Sequence, residues 1–259
     1  MIPLKDQELI RQKFAAELLA PVKIDYFTER ELSISVPGRQ PCAYCRPTRE
    51  MLQELASLSD LISLRVHIFD DAKEDRAKFG VERIPAIVLR GRDSIAVKYY
   101  GMPGGTEFPA FLESIVDISR GEVLLSKEAV KELKKLRQDV LVRVFVTPTC
   151  GYCPQMVRAV YQLALASPKV RAEVIEVNEF PELADRYHVQ AVPLTVIADK
   201  VAIPGAIHPD ALVEQVVAAS GSELTEQPSA TGPVSAVEAK QPAQRIQRGE
   251  QRPSGLIIP

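Results

Sequence analysis

The 259-residue chain has no tryptophan, three histidines and four cysteines, and aromatic residues make up only 6% of it. No apolar run approaches the ~18 residues that a membrane helix needs, so membrane spanning is not expected. The start, MIPLKDQELIRQKF, is amphipathic and mixed in charge. It lacks the uninterrupted apolar core of a secretory signal, and the chain reads as soluble and cytoplasmic. The formal net charge of −2 gives no broad basic surface for nucleic acid. The few cysteines are not scattered, as in a small disulfide-stapled secreted domain. All four fall in two C-x-x-C pairs, PCAYC ending at Cys45 and TPTCGYC ending at Cys153.

These pairs belong to a longer repeat. An offset of 108 residues takes Cys42 to Cys150, Cys45 to Cys153 and Tyr44 to Tyr152. The same offset overlays VERIPAIVL (81 to 89) on VQAVPLTVI (189 to 197) without a gap. A period this long is domain-sized, and two copies of one unit are expected. The boundaries fall at 1–121 for the first unit and 122–221 for the second.

Each unit reads alike. An apolar stretch, VKIDYF or VLVRVFV, predicts a buried strand. The cysteine pair follows, then apolar residues at helical spacing: Met51, Leu52, Leu55 and Leu58, or Met156, Val157, Val160 and Ala164. A second strand, a short helix, a proline-led third strand, a fourth strand and a last helix complete the order β-α-β-α-β-β-α. An amphipathic helix precedes each unit; in the first, Leu9, Ile10, Phe14 and Leu18 are expected on one face. Residues 222–259 are rich in Pro, Gln, Ser and Ala, lack aromatics and are expected to be disordered.

Two C-x-x-C pairs suggest either a zinc site or electron exchange. A four-thiolate zinc ribbon separates its pairs by ~15–20 residues. Here residues 46 to 149 intervene, 104 of them, and each pair has its own unit. No histidine lies near a pair in sequence, so no metal site is expected. Redox chemistry gives every part a purpose. A thiolate at a helix start is favoured by the free amides and the macrodipole. The second cysteine, one turn inward, can attack a mixed disulfide and release the product. Cys42 and Cys150 are then the attacking thiols, and Cys45 and Cys153 resolve. Pro47 and Pro154 suit a first helical turn. Pro85 and Pro193 open strands, where a cis X-Pro bond is one solution.

The pairs, the Ile84-Pro85 and Val192-Pro193 dipeptides and the βαβ order resemble the thioredoxin fold. Two such units in tandem resemble the protein disulfide oxidoreductases, or glutaredoxin-like proteins, of thermophilic bacteria and archaea, over residues 8 to 220. The resemblance implies that Pro85 and Pro193 are cis and lie against the cysteines. It also implies that Ile84 and Val192 offer backbone groups to a bound peptide. Tyr44 and Tyr152, beside the second cysteines, resemble glutaredoxins, whose potentials are about −200 to −230 mV; the alternative is that they fill surface near the site. Thioredoxins bury an acid that takes the inner cysteine's proton, and Asp25 and Glu176 are the strand candidates. No nucleotide-binding motif is present, so no bound cofactor is expected beyond the disulfides. The family's link to a flavin- and NADPH-dependent thioredoxin reductase puts that cofactor in a partner.

The units differ in one respect. Five positions separate Phe145 from Cys150, but fifteen separate Phe27 from Cys42. The extra stretch, residues 31 to 40, reads as a tolerated surface insertion or as a flap beside the first pair. Two functions stay open. One is an oxidoreductase acting on protein disulfides. The other is an electron-transfer module between a thioredoxin reductase and one partner, such as a peroxiredoxin.

Overall fold

The computed structural model describes residues 2–31, 41–91 and 96–221. Most of the inserted stretch and the whole of 222–259 lie outside these described residues. The first half runs α1 (Leu4–Glu17), β1 (Val22–Thr28), α2 (Cys45–Ser57), β2 (Ile62–Ile68), α3 (Lys73–Phe79), β3 (Ala86–Arg90), β4 (Ala96–Tyr100) and α4 (Glu107–Arg120). The second half repeats it as α5 (Lys127–Leu133), β5 (Val140–Val146), α6 (Cys153–Ala166), β6 (Val170–Glu176), α7 (Pro181–Arg186), β7 (Leu194–Ile197), β8 (Val201–Pro204) and α8 (Pro209–Gly221). These are two tandem thioredoxin-like units, each β-α-β-α-β-β-α behind a leading helix.

The units share one sheet, a feature that the repeat alone does not imply. The strand order is β2-β1-β3-β4-β6-β5-β7-β8. At the seam β4 pairs parallel with β6, Lys98 opposite Glu173 and Tyr100 opposite Ile175. Joining the edge strand of one unit to that of the other removes two exposed edges and their unpaired amides. Because β1 and β4 run parallel to one another and to β5 and β6, the C-terminal ends of all four lie at one end of the sheet. Both cysteine pairs follow such ends. Four strand spacings, at ~4.8 Å each, separate β1 from β5, or roughly 19 Å.

Alternation along the strands builds two cores. One face packs Val22, Ile24 and Tyr26 of β1 and Val140, Val142 and Val144 of β5 under α1, α2, α4, α5, α6 and α8. The other packs Phe27, Val88, Phe145 and Val196 under α3 and α7. On α1, Ile10 and Phe14 are buried but Leu9 is 56% exposed. This corrects the expected four-residue face: Leu9 and Ile10 are adjacent, and a rotation of ~100° per residue turns one outward. Among the described residues no helix is long and apolar enough to cross a membrane.

Candidate active sites

The two cysteine pairs sit alike. Cys42 and Cys45 are bridged, as are Cys150 and Cys153, with Cα atoms 5.4 and 5.5 Å apart. The second cysteine of each pair opens a helix and is buried, while Cys42 and Cys150 are partly exposed just before it. One thiol of each pair is therefore open to a partner and the other is enclosed. Pro154 occupies the first turn of α6, where its missing N–H costs nothing. Tyr44 and Tyr152 project at 44% and 71% exposure.

Both proline peptides, Ile84-Pro85 and Val192-Pro193, are cis. The prolines are buried and Ile84 and Val192 are half-buried. In the second site the geometry closes round Cys150. Its Sγ lies 3.6 Å from the Val192 carbonyl oxygen, and the Cys153 amide donates to it at 3.1 Å. An N–H aimed at this sulfur is one that a thiolate would gain from most. In the first site the Cys42 amide donates to the Glu29 carboxylate at 2.8 Å. The Tyr26 hydroxyl, buried and pushed up to about 12 by loss of solvation, donates to the Cys45 carbonyl.

The acid candidates lie in different settings. Asp25 is on the opposite face of β1 from Tyr26. It accepts from Arg90 Nε at 2.7 Å and faces His67 Nε2 at 2.8 Å, committed to an ion-pair cluster under α3. Glu176 ends β6 opposite Val146, and burial raises its carboxyl, against amide hydrogen bonds from Asn178 and Glu179. The sequence reading missed a third acid. Glu107, the first residue of α4, is 1% exposed, and among the described residues no hydrogen-bond partner reaches either carboxyl oxygen. Burial alone pushes it up to about 8. Glu179, whose Oε1 accepts from the Met102 amide across the seam, is pushed up to about 7, chiefly by burial. Neither acid has a motif; each is recognisable only once the seam is known.

The seam also reaches the second site directly. Thr106, just before α4, donates its amide to the Pro148 carbonyl at 2.8 Å. Its hydroxyl lies 3.0 Å from that oxygen and 2.9 Å from the Cys150 carbonyl. At the far end of the same segment, the Gly101 amide donates to Pro85 O. Residues 101 to 106 thus run from the first unit's cis-proline to the second unit's cysteine loop.

Comparison with known proteins gives this geometry a setting. Residues 140–218 match the thioredoxin domain family. Among curated relatives, the F component of alkyl hydroperoxide reductase from Xanthomonas campestris pv. phaseoli is 23% identical over 173 residues, 67% of this chain and 30% of that protein. The Pseudomonas putida protein of the same name is 25% identical over 151 residues, 58% of this chain and 27% of that protein. The chain thus spans less than a third of the length of these relatives. Among solved structures, a protein disulfide oxidoreductase from Aeropyrum pernix K1 superposes with a TM-score of 0.75 at 25% identity, covering 86% of this chain and 95% of that one. A domain of the alkyl hydroperoxide reductase F component from Enterococcus faecalis superposes with a TM-score of 0.73 at 23% identity, covering 83% and 100%.

Proposed function

We propose that this chain is a dithiol–disulfide oxidoreductase that exchanges electrons with protein disulfides, with residues 1–121 and 122–221 as its two redox units. One observation carries the reading. Cys150 is the accessible member of its pair and stands between the carbonyl of Val192, which precedes the cis-proline, and the Cys153 amide. That is an arrangement for an attacking thiolate docked beside an extended peptide. Similarity to the Aeropyrum oxidoreductase over most of both chains supports it.

Exchange begins from the reduced pair. The Cys150 thiolate attacks one sulfur of a substrate disulfide, forming a mixed disulfide and releasing a substrate thiolate. Cys153 then loses its proton and attacks Cys150 Sγ, releasing the second substrate thiolate and leaving Cys150–Cys153 oxidised. Two electrons pass to the substrate, whose two thiolates take up protons. In this reading Glu107 takes up the Cys153 proton. It lies at the start of α4, which packs on α6, and its value near 8 suits a group that takes and returns protons close to neutrality. Cys42 and Cys45 perform the same steps in the first unit. The backbone of Ile84 and Val192 pairs with the substrate strand, and Tyr44 and Tyr152 give its side chains an apolar surface. The setting is the cytoplasm, where dithiols stay reduced.

A second reading is favoured by the relatives named for alkyl hydroperoxide reductase. In it the chain passes electrons from a flavin- and NADPH-dependent reductase, of the thioredoxin reductase kind, to one peroxide-reducing partner. Insulin reduction separates the two. A general oxidoreductase turns insulin over with dithiothreitol and with a reductase alike, whereas a dedicated module serves its partner and leaves insulin almost untouched.

A further inference from the structure

We propose that Thr106, a residue of the first unit, positions the redox pair of the second by fixing the peptide between Cys150 and Gly151; the role rests on the oxidoreductase reading above. Thr106 has two donors, its amide and its hydroxyl. The amide serves the Pro148 carbonyl at 2.8 Å. The hydroxyl has a single proton and two carbonyl oxygens in reach, Pro148 O at 3.0 Å and Cys150 O at 2.9 Å. Pro148 O already has the amide and Cys150 O is the nearer acceptor, so we assign the hydroxyl proton to Cys150 O.

The next residue makes that tie matter. Gly151 has open space where a side chain would stand. A peptide unit before glycine turns at little steric cost, so a hydrogen-bond partner matters for the orientation of the Cys150 carbonyl. Its direction decides the field at the neighbouring sulfur. Drawn toward Thr106, the carbonyl dipole is committed to a donor, and the Cys153 N–H remains directed at Sγ at 3.1 Å. Released, the same peptide can turn its oxygen toward the helix start, against a thiolate and in competition for its donors. Thr106 therefore favours the Cys150 thiolate without touching substrate.

The approach of the first unit is itself fixed. Gly105 has φ +56, and a Cβ there would overlap the Pro148 carbonyl oxygen. The backbone of residues 105 and 106 is thus pressed against the second site's loop, at a distance that only glycine permits. The second site is complete only with a piece of its neighbour.

The test uses the full chain with Cys42→Ser and Cys45→Ser, so that only the second pair reports. Two quantities are read: the pH dependence of Cys150 alkylation in the reduced protein, and the equilibrium of the pair with a glutathione buffer. Thr106→Val should lower the thiolate fraction of Cys150 at neutral pH about fivefold, the worth of one neutral hydrogen bond. It should move the glutathione equilibrium toward the disulfide by a similar factor, because the thiolate form loses support. Thr106→Ser, which keeps the hydroxyl, should restore both. In a separate protein that retains only the first pair, Thr106→Val should change neither. The proposal is overturned if Thr106→Val leaves both quantities unmoved, if serine behaves as valine does, or if the first pair shifts equally. Insulin reduction by the unmodified chain tests the oxidoreductase reading separately. Its failure would not alter the thiolate titration, and a flat titration would not alter insulin turnover.

Discussion

The Tyr26 hydroxyl donates to the carbonyl of Cys45 at 2.6 Å, from the strand position that Val144 fills in the second unit. The two redox helices therefore start over different floors, one polar and one apolar. Tyr26→Phe should move the potential of the Cys42–Cys45 pair and leave that of Cys150–Cys153 in place. The change should cost about 1 kcal/mol of stability, since the Cys45 carbonyl loses one neutral donor. Redox titration of each pair, with the other replaced by serine, reads the first effect, and urea unfolding reads the second.

The second pair should carry most of the turnover. Glu29 brings a carboxylate to the Cys42 amide, which disfavours a thiolate there, while Cys150 has the Cys153 N–H to itself. Insulin reduction should fall by an order of magnitude or more in Cys150→Ser, and by roughly half in Cys42→Ser. Glu29→Gln should then raise the residual rate of the Cys150→Ser protein. If Cys42→Ser proves the more damaging change, the first unit is the working end.

Glu107 should make stability depend on pH. Its ordinary value of 4.5 is raised to about 8 in the folded chain. Below about pH 4.5 the carboxyl is neutral in both states and its burial is unpenalised. As pH rises toward 8 the unfolded chain releases the proton while the folded chain keeps it. Stability is lost across that window, by on the order of 5 kcal/mol. Glu107→Gln should flatten the profile between pH 5 and 8 in urea unfolding. Glu179, raised to about 7 by burial, should leave a smaller slope of the same sign.

Gly105→Ala should strain the junction between the units. The left-handed φ and the overlap with Pro148 O act together, and a loss of about 2 kcal/mol or more is expected. A drop in melting temperature with a selective loss of second-site exchange would show both consequences at once.

Most of the architecture was legible in the sequence because the repeat displays its own alignment. The same offset of 108 carries Cys42 to Cys150 and Pro85 to Pro193, and the strands and helices between them have clear apolar periods. What was not legible depends on how the copies meet. Pairing of Lys98 with Glu173 across β4 and β6 has no local signal, since an edge strand reads the same whether it meets solvent or a neighbour. Glu107 looks like an ordinary acid in a first helical turn, a place where carboxylates are common on the surface. Only the fold makes it buried. Asp25 looked equally suitable on its strand, but the alternation of β1 puts it on the face away from Cys45, with Arg90 and His67 as partners. Thr106 was invisible for a similar reason, since the carbonyl it serves lies 44 residues further on.

Trapping the mixed disulfide shows whether Cys150 exchanges with protein disulfides. Reduced Cys153→Ser protein, in which Cys150 has lost its resolving partner, should be mixed with a disulfide-bonded protein and resolved without reductant. A covalent adduct should form through Cys150, one that dithiothreitol releases and Cys150→Ser abolishes. No adduct at Cys150, although the thiol is free and the protein folded, would contradict that exchange.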